Sequence, residues 1–138
     1  MPDISEAVVR RFVNEVINNG DYSAMRELVH PNYVYRSPDQ ELVGPEALEG
    51  LFTAYRSGLP DLKTSIDELV ASGDKVVISI TLSGTHTGDL MGIPATGRRL
   101  AVRGMVLSRL EDEKIVEEWE ILDTLGMYEQ LGVISLPS

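Results

Sequence analysis

The spacing of hydrophobic positions changes once along the chain, near residue 62. Before that point the apolar residues recur at helical intervals. Val8, Val9, Phe12, Val13, Val16 and Ile17 mark a first helix. Asp3 and Glu6 stand where a capping box would open it, and Asn18-Asn19-Gly20 closes it. Asp21 caps a shorter second helix with Met25, Leu28 and Val29 inward, ended by Pro31. Tyr33-Val34-Tyr35-Arg36 reads as a short strand, followed by a polar turn at Ser37-Pro38-Asp39. Gly44-Pro45 opens a third helix, because proline suits the first helical position. Leu48, Leu51, Phe52 and Tyr55 form its stripe, and Gly58 and Pro60 end it.

From residue 62 the period is two. Leu62 to Ala71 predicts a strand, and Ser72-Gly73-Asp74 a turn. Lys75 to Thr87 predicts a long strand with Val76, Ile78, Ile80, Leu82, Gly84 and His86 on one face. Gly88 to Gly97 is a loop, Arg98 to Leu110 a strand, and Glu111 to Glu113 a turn. Lys114 to Asp123 is the last strand. Its odd face carries Ile115, Glu117, Trp119, Ile121 and Asp123 and, with Trp119 and Ile121 on it, is expected to point inward. A hairpin turn on Asp112 and Glu113 then sets Val106 opposite Trp119, Gly104 opposite Ile121 and Val102 opposite Asp123. Arg103 falls on the other face, as a surface partner of Glu118 or Glu120; a one-residue bulge would shift this register. Thr124 caps a final helical turn through Met127, Tyr128 and Leu131. Helices followed by an antiparallel meander make an α+β domain with the helices on one sheet face.

The 138 residues suffice for one domain, 1–138, with a real core. No apolar run is long enough to span a bilayer, and Met1 to Glu6 lacks the basic start of a signal peptide; a cytoplasmic location is expected. With no cysteine and only His30 and His86, neither a thiolate nor a histidine-rich metal site is expected. A net charge of −10 argues against nucleic acid and anionic membrane surfaces as partners. The sequence shows no phosphate loop, dinucleotide fingerprint or nucleophile elbow.

Asp123 is the first candidate for chemistry. On an apolar face next to Trp119 and Ile121 its proton affinity would rise, as a general acid or base requires. The competing reading is a strand-end aspartate that caps the next turn or pairs with an arginine. His86, closing the apolar face of its strand, either donates to a developing oxyanion beside Asp123 or is a satisfied core histidine. Trp119 stacks on a flat ligand or fills core volume. Tyr35, Phe52, Tyr55 and Met91 present the same choice between pocket wall and packing. Arg36 either anchors a polar substrate group or lies in solvent. His30 reads as a helix-end histidine. A mixed outer sheet face suggests a homodimer.

Three stretches carry a family likeness: Gly84-Thr85-His86-Thr87-Gly88, Gly92-Ile93-Pro94-Ala95-Thr96-Gly97-Arg98, and Ile115-Val116-Glu117-Glu118-Trp119 with Asp123-Thr124 and Gln130-Leu131-Gly132. With Asn19-Gly20-Asp21, Pro31-Asn32-Tyr33-Val34 and Gly44-Pro45-Glu46, they resemble the SnoaL-like polyketide cyclases of the nuclear transport factor 2-like superfamily. The resemblance implies a cone-shaped, curved, mostly antiparallel sheet wrapped by N-terminal helices around an internal pocket. It implies a cofactor-free enzyme that closes a ring by intramolecular aldol addition on a small hydrophobic carbonyl substrate, with Asp123 as acid/base and His86 in the pocket. A non-catalytic binding domain and an epoxide hydrolase of the same superfamily are the alternatives; the latter needs an Asp-Arg-Asp set. Many relatives carry histidine where this chain has Arg36 and Glu118, which implies a more cationic pocket end and a different substrate. The glycine usual in the last hairpin is Glu113 here.

Overall fold

A computed structural model describes residues 3–135 and 137; the first two residues of the stretch read for a signal peptide lie outside them. Helix α1 spans Ile4–Arg11 and continues as a π-helical segment, Phe12–Asn18. Asp3 caps it by accepting from Ser5 N at 2.8 Å. The second half of the expected capping box is not made, because Glu6 pairs with Arg10 instead. A short 3₁₀ turn, Tyr22–Ala24, leads into α2, Met25–Leu28. Strand β1 is Val29–Arg36, β2 Glu41–Val43, and helix α3 Pro45–Gly58. Strands β3 to β6 are Lys63–Ser72, Lys75–Thr85, Arg99–Glu111 and Lys114–Leu122, and α4 is Thr124–Leu131.

The six strands form one curled sheet in the order β2-β1-β6-β5-β4-β3. Only the β1–β6 pairing is parallel. Sequence periodicity foresees the even face of β4 correctly: Val76, Ile78, Ile80 and Leu82 are buried. The inner faces of β4 and β5 meet Val9, Phe12 and Val16 of the first helix in one core. A second core gathers Leu59, Leu90, Leu100, Met127 and Leu131 at the other end. The architecture is thus α+β, as expected. No helix among the described residues is long and apolar enough to cross a membrane.

Several local expectations need correction. Strand β1 begins at Val29, so His30 sits in a strand, where its Nδ1 accepts from Asn32 N at 3.0 Å. Strand β2 has only three residues and no alternation that a sequence reading could use. The final helix is capped one residue earlier than expected, by Asp123 accepting from Gly126 N at 2.9 Å.

The last hairpin holds the largest correction. Its turn is centred on Asp112 and Glu113, both at positive φ, with Glu111 opposite Lys114. The register then shifts: Leu110 pairs with Ile115, but Arg109 pairs with Glu117. Val116 is the extra residue, and Ile115 and Val116 are both buried. A bulge of one residue inverts the faces of all that follows. Gly104 therefore opposes Leu122, Val106 opposes Glu120 and Leu107 opposes Trp119. Glu118, Glu120 and Leu122 turn inward, while Trp119 and Ile121 lie outside at 50% and 65% exposure. Arg103 is on the outer face as expected, but Glu118 and Glu120 are not there to pair with it.

The loop after β4 packs against the end of α3 at Gly88, where an added Cβ would lie 2.1 Å from the Ser57 carbonyl oxygen. Gly88→Ala should lower the unfolding free energy by about 1–3 kcal/mol, as overpacking does. Gly50→Ala, on the open face of α3 with no atom within 4 Å, should instead raise it by up to about 1 kcal/mol. Urea midpoints of the two variants check both signs.

Candidate active site

The parallel pairing of β1 with β6 puts Tyr35 beside Glu118 in register. Tyr33 and Tyr35 share the inner face of β1, and Glu118 and Glu120 share that of β6. Two rungs result. Tyr33 Oη donates to Glu118 Oε1 at 2.7 Å, and Tyr35 Oη donates to Glu120 Oε1. Ser108 Oγ, from β5, donates to Glu118 Oε2 at 2.9 Å. Both oxygens of Glu118 are thus engaged. The second oxygen of Glu120 accepts no hydrogen bond among the described residues.

These carboxylates line a cavity between sheet and helices. Its inner chamber is narrow, with a free volume of about 40 Å³, and is walled by Phe12, Val13, Leu48, Phe52 and Ile80. A mouth chamber opens beside it, lined by Ser37, Asp39, Met91, Thr124 and Tyr128. Tyr35, Tyr55, Glu120 and Leu122 border both chambers, so Glu120 stands at their junction. No Lys, Arg or His lines either chamber among the described residues.

Burial without a cation governs the proton affinities. Glu118 is 6% exposed. Loss of water pushes its carboxyl up to about 7; the hydrogen bonds from Tyr33 and Ser108 oppose the rise, and the charge of Glu120 adds to it. Burial also raises Glu120, against the bond from Tyr35. Tyr33, Tyr35 and Tyr55 are raised by burial first and by the neighbouring glutamates second. All three therefore stay protonated as donors.

The structure divides the residues singled out from the sequence. Tyr35, Phe52 and Tyr55 lie on the inner wall, and Met91 lies at the mouth. Asp123 is exposed and caps α4, because the bulge turns its side of β6 outward. Trp119 is on the outer face with Arg36, whose guanidinium stacks 5.2 Å from the indole centroid. Arg36 also pairs with Glu117 and Glu41, so it adds no positive charge to the pocket. His86 is wholly buried but lines neither chamber. Its ring contacts Thr96 Oγ1 at 2.9 Å and the Ile93 carbonyl at 3.2 Å, and its Nδ1 accepts from Thr96 N. Donation to Ile93 fixes the proton on Nε2. This histidine ties down the loop between β4 and β5.

Sequence reasoning placed Glu118 and Glu120 on the outer face, although the family likeness marked position 118 as one where relatives carry histidine. The signal was present in the adjacent apolar pair Ile115-Val116, which breaks strict alternation and marks a bulge. Two glutamates flanking a tryptophan read as the wet face of a strand, which is their commoner role.

A six-stranded curled sheet packed on four helices is a fold of the nuclear transport factor 2-like class. The model of the SnoaL-like polyketide cyclase family matches residues 7–131, and this chain belongs to that family. It is 34% identical over 130 residues to the aklanonic acid methyl ester cyclase DnrD of Streptomyces peucetius, covering 91% of this chain and 88% of that one. It is 29% identical over 119 residues to the nogalonic acid methyl ester cyclase of Streptomyces nogalater, covering 83% and 88%. Among solved structures, TsrD from Streptomyces laurentii superposes with a TM-score of 0.86 at 31% identity, covering 97% of this chain and 99% of that one. The relatives place this chain among cyclase enzymes.

The buried acid makes a signed prediction for stability. A folded value of about 7 against 4.5 for the free group means that between those pH values the folded state holds more protons than the unfolded one. The stabilisation is full below about 4.5 and is lost as pH rises through about 7. Glu118→Gln removes this term. The wild type should lose about 3 kcal/mol more than the variant between pH 4.5 and 8, as urea denaturation across that range measures.

Proposed function

We propose that this protein closes a ring on a small hydrophobic carbonyl compound by intramolecular aldol addition, with Glu120 as the acid/base. One observation carries this reading: a half-buried carboxylate has one oxygen held by Tyr35 and the other without a hydrogen bond among the described residues, where a mouth meets an apolar chamber. The free oxygen removes a proton from the carbon between two carbonyls. The resulting enolate carbon adds to a second carbonyl folded against it. Glu120 then returns the same proton to the new alkoxide, so the reaction is an isomerisation with no net proton change. Tyr55, half-buried beside the junction, offers a hydroxyl that can donate to a substrate oxygen. The apolar walls hold the chain folded, which supplies the proximity term.

The names of the relatives support substrates of the polyketide methyl ester kind, and a cavity without a basic side chain suits an uncharged ester. Epoxide hydrolysis is disfavoured, because it calls for an arginine between two acids and no arginine lines either chamber among the described residues. Glu120→Gln should lower turnover of aklanonic acid methyl ester by at least about 10²-fold with an unchanged circular dichroism spectrum. Undiminished turnover in that variant would end the reading.

We also propose a homodimer through the outer sheet face. There Met105 opposes Ile121 and Leu107 opposes Trp119, and Met105, Trp119 and Ile121 are each at least half exposed. Such a patch flanked by charges suits a second copy of itself. Light scattering should give twice the chain mass for the wild type and the single mass for Ile121→Lys.

A further inference from the structure

The cavity contains one carboxylate more than the proposed reaction uses. Glu118 and Glu120 lie two residues apart on one face of β6 and border the same chamber. Among the described residues their surroundings offer no positive charge. Strand β1 presents the hydroxyls of Tyr33 and Tyr35, and β5 presents Ser108. Helix α3 presents Tyr55, and the turn after β1 presents Asp39. The first helix and its π-helical extension present only Val9, Phe12, Val13 and Ile17. Every polar neighbour is neutral or acidic. Two ionised glutamates would therefore repel each other without a counterion, and an enolate oxygen would be a third negative charge.

We propose that Glu118 works in its uncharged acid form, as a positioning residue that leaves Glu120 the only negative group in the inner chamber, and that ionising Glu118 switches the enzyme off on the alkaline side. This rests on Glu120 being the base. The geometry decides which acid keeps the proton. Glu118 is sealed in, with both oxygens on hydroxyls, and hydroxyls can accept from an acid as readily as they donate to a carboxylate. Glu120 is less buried and borders the mouth, where solvent and substrate arrive. Burial also holds the Glu118 proton up to about pH 7, so the switch falls in the neutral range. Protons leave such a pair in two steps that belong to the pair as a whole.

The test has two arms. Side-chain carboxyl ¹³C NMR of the wild type should show Glu118 neutral at pH 6 and ionised above about pH 7, with ionisation at lower pH in Glu120→Gln. In turnover of aklanonic acid methyl ester, kcat/KM of the wild type should fall about tenfold per pH unit above that point, and Glu118→Gln should level off instead. A merely structural glutamate would change the height of the profile and keep its shape. A Glu118 signal already ionised at pH 6, or an alkaline fall that survives in Glu118→Gln, overturns the proposal. The NMR arm needs no variant at position 118, so a poorly folding Gln variant does not block it. Failure of the Glu120 reading shows separately, as turnover by Glu120→Gln.

Discussion

One unpaired residue in the last hairpin governs what the cavity contains. Val116 is inserted against Arg109 and Leu110, and from there onward every side chain of β6 faces the opposite way from strict pairing. Without it, Trp119 and Ile121 would fill the interior and Glu118 and Glu120 would lie in solvent. The domain would then have a conventional packed core and no acid inside it. The bulge thus converts a half-buried strand into one that brings two carboxylates under the helices.

That placement is costly, and the neighbouring strand offsets part of the cost. A buried carboxylate needs donors. The parallel pairing of β1 with β6 supplies them as a ladder, Tyr33 to Glu118 and Tyr35 to Glu120, with Ser108 reaching from the other side. Neutral hydroxyls rather than arginines do this work. They hold the acids in place while leaving their proton affinities high, the state that the proposed removal of a proton from carbon at neutral pH calls for. Arginine pairing occurs on the outside instead, where Arg36 engages Glu117 and Trp119 and the site is unaffected.

The rest of the molecule shapes the space around those acids. The first helix with its π-helical extension, together with α3, gives the inner chamber an aromatic and aliphatic wall. The loop between β4 and β5, pinned by His86, closes the second core and brings Met91 to the mouth. The chamber walls Phe12, Val13, Leu48 and Ile80 also belong to the main core, so the packing that holds sheet and helices together also shapes the cavity.

The sequence alone determined the α+β class, the helix-then-meander order and the inner face of β4. Those features follow from local periodicity, which a linear reading can count. It also carried the family likeness through its loop and strand motifs. What it left undecided was the face that β6 turns inward, and with it the identity of the buried acids. Alternation fixes which residues share a face but not which face is inside once an extra residue interrupts the ladder. Asp123, Trp119 and Ile121 formed the more apolar set, so burial was assigned to them. Only the pairing with β5 and the donors on β1 reversed that assignment, since a glutamate can be buried where hydroxyls from other strands meet it, and that meeting exists only in the folded chain.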